Sequence, residues 1–217
     1  MKKAVFATLL TAGLLFAACE NPQPKEVAKG EKSLKSETVV SEKQLLTVHV
    51  FRYDGAPLEK AQYLADVLKE VYPAVVLEKG TIPLPQEHYY KPRNRYRGSG
   101  LLDDLTKRRS RGVVVLGVTN QVIFNPNEKS PTWGVMGISR TGQRVAVVST
   151  IMASGKKQTD SDLRKLMMHE LGHAFGLSHC KDEHCFMVDA KHKNKFPHTP
   201  SFCKDCQEFL NGKGWKL

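Results

Sequence analysis

Apolar and polar side chains alternate over residues 45–51, the period-two pattern of a half-buried strand. From Pro57 the period changes. Leu58, Ala61, Leu64, Leu68 and Val71 fall three or four apart, which predicts a helix with one apolar face, opened by Pro57. Residues 74–77 read as a second strand, and Ser99 as the N-cap of a short helix reaching Lys107. Residues 112–118 (GVVVLGV) form an unbroken apolar run, which suits a strand covered on both faces. Residues 133–138 and 145–149 are predicted as two strands joined across residues 140–143. Asp160 or Ser161 caps a long helix ending at Phe175, and beyond Gly176 no strand is expected. The alternation of strands and helices predicts an α/β domain with an irregular, cysteine-rich tail.

The first residues follow a different pattern. Lys2 and Lys3 precede an apolar run over residues 4–18, shorter than the roughly 20 residues a permanent membrane helix needs. That is the form of an export signal. It ends Leu15-Phe16-Ala17-Ala18-Cys19, similar to a bacterial lipobox, although Phe16 stands where Leu is commoner. In a lipobox the cysteine is acylated and becomes the first mature residue; an ordinary secretory cut near Ala18 would instead leave Cys19 a thiol. Residues 1–18 are therefore read as a lipoprotein signal peptide, and residues 19–43 as a lipidated cysteine on a tether. The tether is rich in Lys, Glu, Ser and Pro and poor in aromatics, so it cannot bury enough apolar surface to order itself. The folded domain is assigned to residues 44–217. This reading places the protein in the bacterial cell envelope, held to a membrane through its lipid.

Composition narrows the class. With 217 residues, 41% hydrophobic and 25% charged, the chain is neither disordered nor multi-spanning. Its formal charge of +11 is partly local: residues 87–111 carry eight basic side chains, from Lys91 to Arg111, against three acids. No nucleic-acid motif accompanies them, so no nucleic-acid partner is expected. Docking on anionic lipid beside the anchor is an alternative use of the same charge.

The chemistry lies in one segment, HELGHAFGLSHC, over residues 169–180. On a helix, His169 and His173 leave the same face and can grip one ion. Glu170 stands beside that ion, placed to take a proton from water and return it to a leaving amine. Gly176 permits the positive-φ turn that brings His179 round as a third ligand. Three neutral imidazoles leave a zinc ion doubly charged, with a position open for water. A second set follows: Cys180-x4-Cys185 and Cys203-x2-Cys206. Their spacing suits a tetrahedral, structural zinc, while an oxidising envelope favours two disulfides. His184 is a further candidate to replace one thiol.

These residues resemble the archaemetzincin family of zinc peptidases, whose pattern HExxHxxGxxHC continues to CxM and CxxC. Here it reads His169, Glu170, His173, Gly176, His179, Cys180, Cys185, Met187, Cys203 and Cys206, with a slightly short spacer after Met187. Similarity also covers Ile82-Pro-Leu-Pro, the Arg93–Tyr96 segment, Leu101–Leu105, Leu116–Thr119 and Arg144–Ser149. The signal and tether are departures from the family. The resemblance implies a metzincin-like α/β (α+β) fold: a twisted mixed sheet with backing and active-site helices over residues 44–176, and a small zinc-bearing C-terminal subdomain over 177–217. It implies a catalytic zinc on His169, His173 and His179 with Glu170 as general base and acid, a structural zinc on the four cysteines, and Met187 as the Met-turn. Trp133, Gly134, Val135, Met136 and Gly137 resemble the strand that pairs with substrate, although Trp133 reads equally well as a core aromatic.

The function expected is hydrolysis of peptide bonds by a zinc-dependent peptidase using two zinc ions per chain, and the family resemblance implies a lean towards aminopeptidase-like action. The peptidase is expected to be a monomer acting on peptide or protein substrates. The alternative is a non-catalytic envelope lipoprotein that binds zinc or a partner. An intact Glu170 weighs against it, because an idle site has no physical need for a carboxylate there.

Overall fold

The structure, a computed structural model, describes residues 45–189 and 201–217. The signal peptide, Cys19 and the tether lie outside the described residues. Five strands form the main sheet: β1 (Thr47–Arg52), β2 (Val75–Leu77), β5 (Val113–Thr119), β8 (Gly137–Arg140) and β9 (Val145–Ser149). Their order is β2-β1-β5-β9-β8; β8 pairs antiparallel with β9 and every other pair is parallel. Four short strands, β3 (Tyr89–Tyr90), β4 (Arg95–Arg97), β6 (Ile123–Phe124) and β7 (Gly134–Val135), make a second mixed sheet in the order β3-β4-β6-β7. The mixed α/β class expected from the sequence is what is found.

Alternation along β5 explains why it is apolar throughout. Val114, Leu116 and Val118 face one core layer with α1 (Leu58–Val71) and α3 (Asp160–Phe175). Val115 faces the other, with α2 (Gly98–Arg108) and the small sheet. On that second side Gly117 leaves room for α2, since a Cβ there would stand 2.6 Å from a Leu105 methyl. Helix α1 buries Ala61, Leu64 and Leu68 as its spacing predicts, while Leu58, at its first position, is 54% exposed.

Three expectations change. The run over residues 133–138 is not one strand: β7 pairs with β6 in the small sheet, and β8 pairs with β9 in the large one. Met136 lies between them, its carbonyl accepting from the Ser149 amide at 2.8 Å. A period of two is the same in either sheet, so the pattern cannot mark the switch. The cap of α3 is Thr159, whose Oγ1 accepts from the Asp162 amide at 3.1 Å; Asp160 and Asp162 sit inside the first turn, at the positive end of the helix dipole. Ser99 likewise falls inside α2, which begins after Arg97 without a side-chain cap.

The tail contains one helix that the sequence did not announce, α4 (Lys204–Asn211), burying Cys206 and Leu210 one turn apart. Cys185, Phe186, Met187, Phe202 and Trp215 join the same core as α1 and α3. Trp215 meets Tyr72 and Phe175 with ring centroids 5.6 and 5.3 Å away.

Candidate metal centre

Helix α3 carries the informative segment. It stops at Gly176, whose φ of +119° is open to glycine and strained for any other residue. The Gly176 amide donates to Gly172 O and His173 O, and the Leu177 amide donates to Gly172 O at 2.9 Å. This closed turn reverses the chain and carries His179 back to the helix. The rings of His169, His173 and His179 then lie with centroids 4.7–5.4 Å apart.

Hydrogen bonds fix which nitrogens are available. His169 Nδ1 meets Phe186 O at 2.6 Å, and His173 Nδ1 meets Leu177 O at 2.7 Å. A carbonyl only accepts, so both Nδ1 atoms carry the hydrogen and both Nε2 atoms present a lone pair. Those two Nε2 atoms face each other at 3.2 Å. Two lone pairs so placed repel unless a cation lies between them, and tetrahedral zinc at about 2.0–2.1 Å from each nitrogen sets an edge of about 3.4 Å. Burial lowers the His169 pKa to about 4, the Phe186 carbonyl opposing it. Burial, then the neighbouring His169, lowers that of His173. Both rings are held in the neutral form that binds metal.

Glu170 is buried beside them, at 7% exposure. Burial pushes its carboxyl upward, while Ser139 Oγ, donating to Oε2 at 2.6 Å, and then the histidines pull it down. The strand that supplies Ser139 passes close, because a Cβ on Gly137 would stand 2.8 Å from Glu170 Cγ. Such a carboxylate, desolvated but hydrogen-bonded, is suited to exchanging protons. Met187 is fully buried under the helix, where a Cβ on Gly172 would overlap its sulfur.

The four cysteines Cys180, Cys185, Cys203 and Cys206 also converge, and no disulfide joins any of them. Within each set, cysteine or histidine, the donor atoms lie within 4.8 Å of one another. Cys180 Sγ and Cys203 Sγ are 3.7 Å apart, close to the roughly 3.8 Å edge of a tetrahedron with zinc–sulfur bonds of about 2.3 Å. Backbone amides of Asp182, Met187 and Cys203 point at these sulfurs. Burial drives the Cys185 thiol up to about 11 and raises Cys206 as well, so ionisation of these two calls for a cation beside them. At Cys203 burial is outweighed by hydrogen bonds from the Cys206 amide and the neighbouring thiols, which lower it. His184 is exposed and is not among the gathered donors.

Comparison with known proteins agrees with this geometry. The profile of "Peptidase family M54" matches residues 62–212. The chain belongs to peptidase family M54. An archaemetzincin of Methanopyrus kandleri is 33% identical over 146 residues, 63% of this chain and 77% of that one. One from Halobacterium salinarum is 26% identical over 185 residues, 75% of this chain and 98% of that one. The crystal structure of the Methanopyrus kandleri archaemetzincin superposes with a TM-score of 0.65 at 28% identity, covering 81% of this chain and 98% of that one. The archaemetzincin of Archaeoglobus fulgidus, crystallised with malonate, shares the fold with a TM-score of 0.61 at 22% identity, covering 76% and 99%. As an M54 member the chain is a zinc metallopeptidase, and its substrates are peptides.

Three partners of the site had no sequence signature. The carbonyls of Leu177 and Phe186, which orient the two histidines, are main-chain groups, and Ser139 lies on a strand far from Glu170 in the sequence. Of the substrate-strand candidates, Gly134 and Val135 belong to the small sheet, and only Gly137 lies on the main-sheet strand β8. Trp133 is half-buried.

Proposed function

We propose that His169, His173 and His179 hold the catalytic zinc and that Glu170 is the general base and acid of peptide hydrolysis. The observation that carries this reading is the pair of Nε2 lone pairs 3.2 Å apart beside the buried Glu170 carboxylate. Zinc bound there supplies Lewis acidity, polarising a carbonyl and making water acidic enough to attack near neutral pH. The Phe186 and Leu177 carbonyls hold two of the imidazoles in the ligating tautomer. Glu170 takes the proton from the attacking water at a carboxylate oxygen and hands it to the departing amine, and Ser139 fixes the carboxylate during both transfers. Strand β8 is the edge of its sheet, so its outer main-chain groups are available to an extended peptide. The substrate strand is thus assigned to Gly137–Arg140.

The four cysteines are proposed to hold a second, structural zinc, supported by the 3.7 Å sulfur separation and the amide donors around it. The lipobox-like segment ending at Cys19 supports an envelope protein held to a membrane by its lipid, and aminopeptidase-like cleavage is retained as the mode to test. The experiment is peptide-library cleavage by zinc-loaded protein, read by mass spectrometry beside Glu170→Gln. Zinc content should be kept and turnover should fall by about 10²–10⁴ in the variant. Equal turnover would remove Glu170 from the mechanism, and cut positions away from peptide N-termini would remove the aminopeptidase mode.

A further inference from the structure

The N-terminal ends of β1, β5 and β9 lie side by side, and arginines collect there. Thr47 pairs with Val113, and Val115 with Val145, so residues 111–112 and Arg144 occupy one edge of the sheet. Arg109, Ser110, Arg111, Gly142, Gln143 and Arg144 line an open concavity of about 470 Å³, a ligand-sized volume with three guanidinium groups and no carboxylate. Its parts are held in place. Arg109 donates to Gln143 O, and the Val115 amide to Arg144 O at 2.9 Å. The amides of Gly142 and Arg144 donate to His173 O and Ala174 O, tying the turn to the end of α3. Arg144 has a φ of +60°, an unusual conformation for a residue with a side chain. The neighbouring Arg108 is paired with Asp104 at 3.2 Å; Arg109, Arg111 and Arg144 form no ion pair among the described residues.

Strand β1 begins at this same edge, where the Thr47 amide donates to Gly112 O at 2.9 Å. We infer that the edge formed by Arg109, Arg111 and Arg144 docks on anionic phospholipid headgroups, so that the domain meets the membrane with the β8–β9 turn towards it. The inference draws its choice of partner from the lipid anchor proposed for Cys19. Guanidinium groups donate paired hydrogen bonds to phosphate oxygens, and a lipid surface presents many phosphates to a concavity with no counter-charge of its own. Acylation brings the edge to that surface at high effective concentration.

The test is partition of the full chain between solution and vesicles, either neutral phosphatidylcholine or phosphatidylcholine mixed with phosphatidylglycerol, at low and high salt. The expected result is a preference for the anionic vesicles that collapses at about 1 M salt. In Arg109→Gln/Arg111→Gln/Arg144→Gln that preference falls by about a hundredfold, taking about fivefold per arginine near a charged surface. The corresponding triple lysine variant keeps most of it, and turnover of a small soluble peptide is unaltered in both. Cys19→Ser should weaken binding to both vesicle types alike and leave the preference in place. Unchanged binding of Cys19→Ser to neutral vesicles would end the anchor reading alone. An unchanged preference in the glutamine variant would overturn the docking edge. So would a lysine variant as defective as the glutamine one, or a glutamine variant whose only change is a higher KM for acidic peptides.

Discussion

Gly172→Ala changes sign with its neighbour. Gly172 lies inside α3, where alanine is the better helix former by about 1 kcal/mol. Its face is filled, however: an added Cβ would overlap the Met187 sulfur, stand 3.2 Å from Met187 Cε and 3.5 Å from a Phe202 ring carbon. Met187 is fully buried, and its neighbour Phe186 gives the carbonyl that orients His169, so the sulfur has little room to retreat. Overpacking of this kind costs about 1–3 kcal/mol. The net effect in the natural chain is a loss of about 0–2 kcal/mol. In Met187→Ala, which alone costs about 2–5 kcal/mol through its cavity, the overlap is gone and the same Gly172→Ala should stabilise by about 1 kcal/mol. The coupling between the two positions is therefore about 1–3 kcal/mol.

Denaturant unfolding of the four proteins, each saturated with zinc, measures the cycle. A second readout follows from Phe186. Pushing Met187 aside moves the carbonyl that holds His169 Nδ1, so Gly172→Ala should also weaken zinc retention by about 10–100-fold, the usual cost of disturbing a ligand's supporting hydrogen bond. Additive free energies, with Gly172→Ala acting alike in both backgrounds, would refute the contact as the seat of the effect.

Ser139→Ala removes the donor that opposes the burial of Glu170, so the acid limb of the kcat/KM profile should move up by about one pH unit or more; an unmoved limb would deny Ser139 this role. Cys203→Ser should lower metal content from two ions per chain to one and reduce the melting temperature, and unchanged stoichiometry would count against the cysteine site. Metal-free protein should lose stability on acidification. Burial lowers the His169 pKa from 6.5 to about 4, so over that interval the unfolded chain binds a proton the folded chain refuses. The stability is whole above pH 6.5 and falls by about 3 kcal/mol by pH 4, which denaturant midpoints across that range will show or deny.

What the sequence disclosed follows from which contacts are local. His169 and His173 share a helix face by the helical period alone, and Gly176 stops the helix close enough for His179 to return. Those relations span a few residues and are written in the pattern. Ser139 reaches Glu170 only because β8 occupies the sheet edge beside α3, and strand order is not written locally. The small sheet escaped notice because strands of two or three residues are too short to show a period. Helix α4 escaped because its buried face rests on Cys206 and Leu210, and a cysteine read as a ligand was not counted as core.

The loop between Cys180 and Val188 links the two donor sets. His179 and Cys180 are joined by one peptide bond, and the Cys180 amide donates to Met187 O at 2.8 Å. Cys185 places its sulfur among the cysteines, Phe186 turns its carbonyl to His169, and Met187 packs on Gly172. The Phe186 amide donates to Ser201 O at 2.8 Å, and Phe202 lies edge-on to Phe186 with centroids 5.1 Å apart. No strand or long helix stiffens this loop, so its rigidity has to come from these few bonds and from whatever holds the sulfurs together. A cation shared by the four cysteines would supply that stiffness and pass it to the His169 ring through one residue. Loss of the cysteine-bound ion should therefore appear first as a looser hold on the catalytic ion, before any unfolding of the sheet.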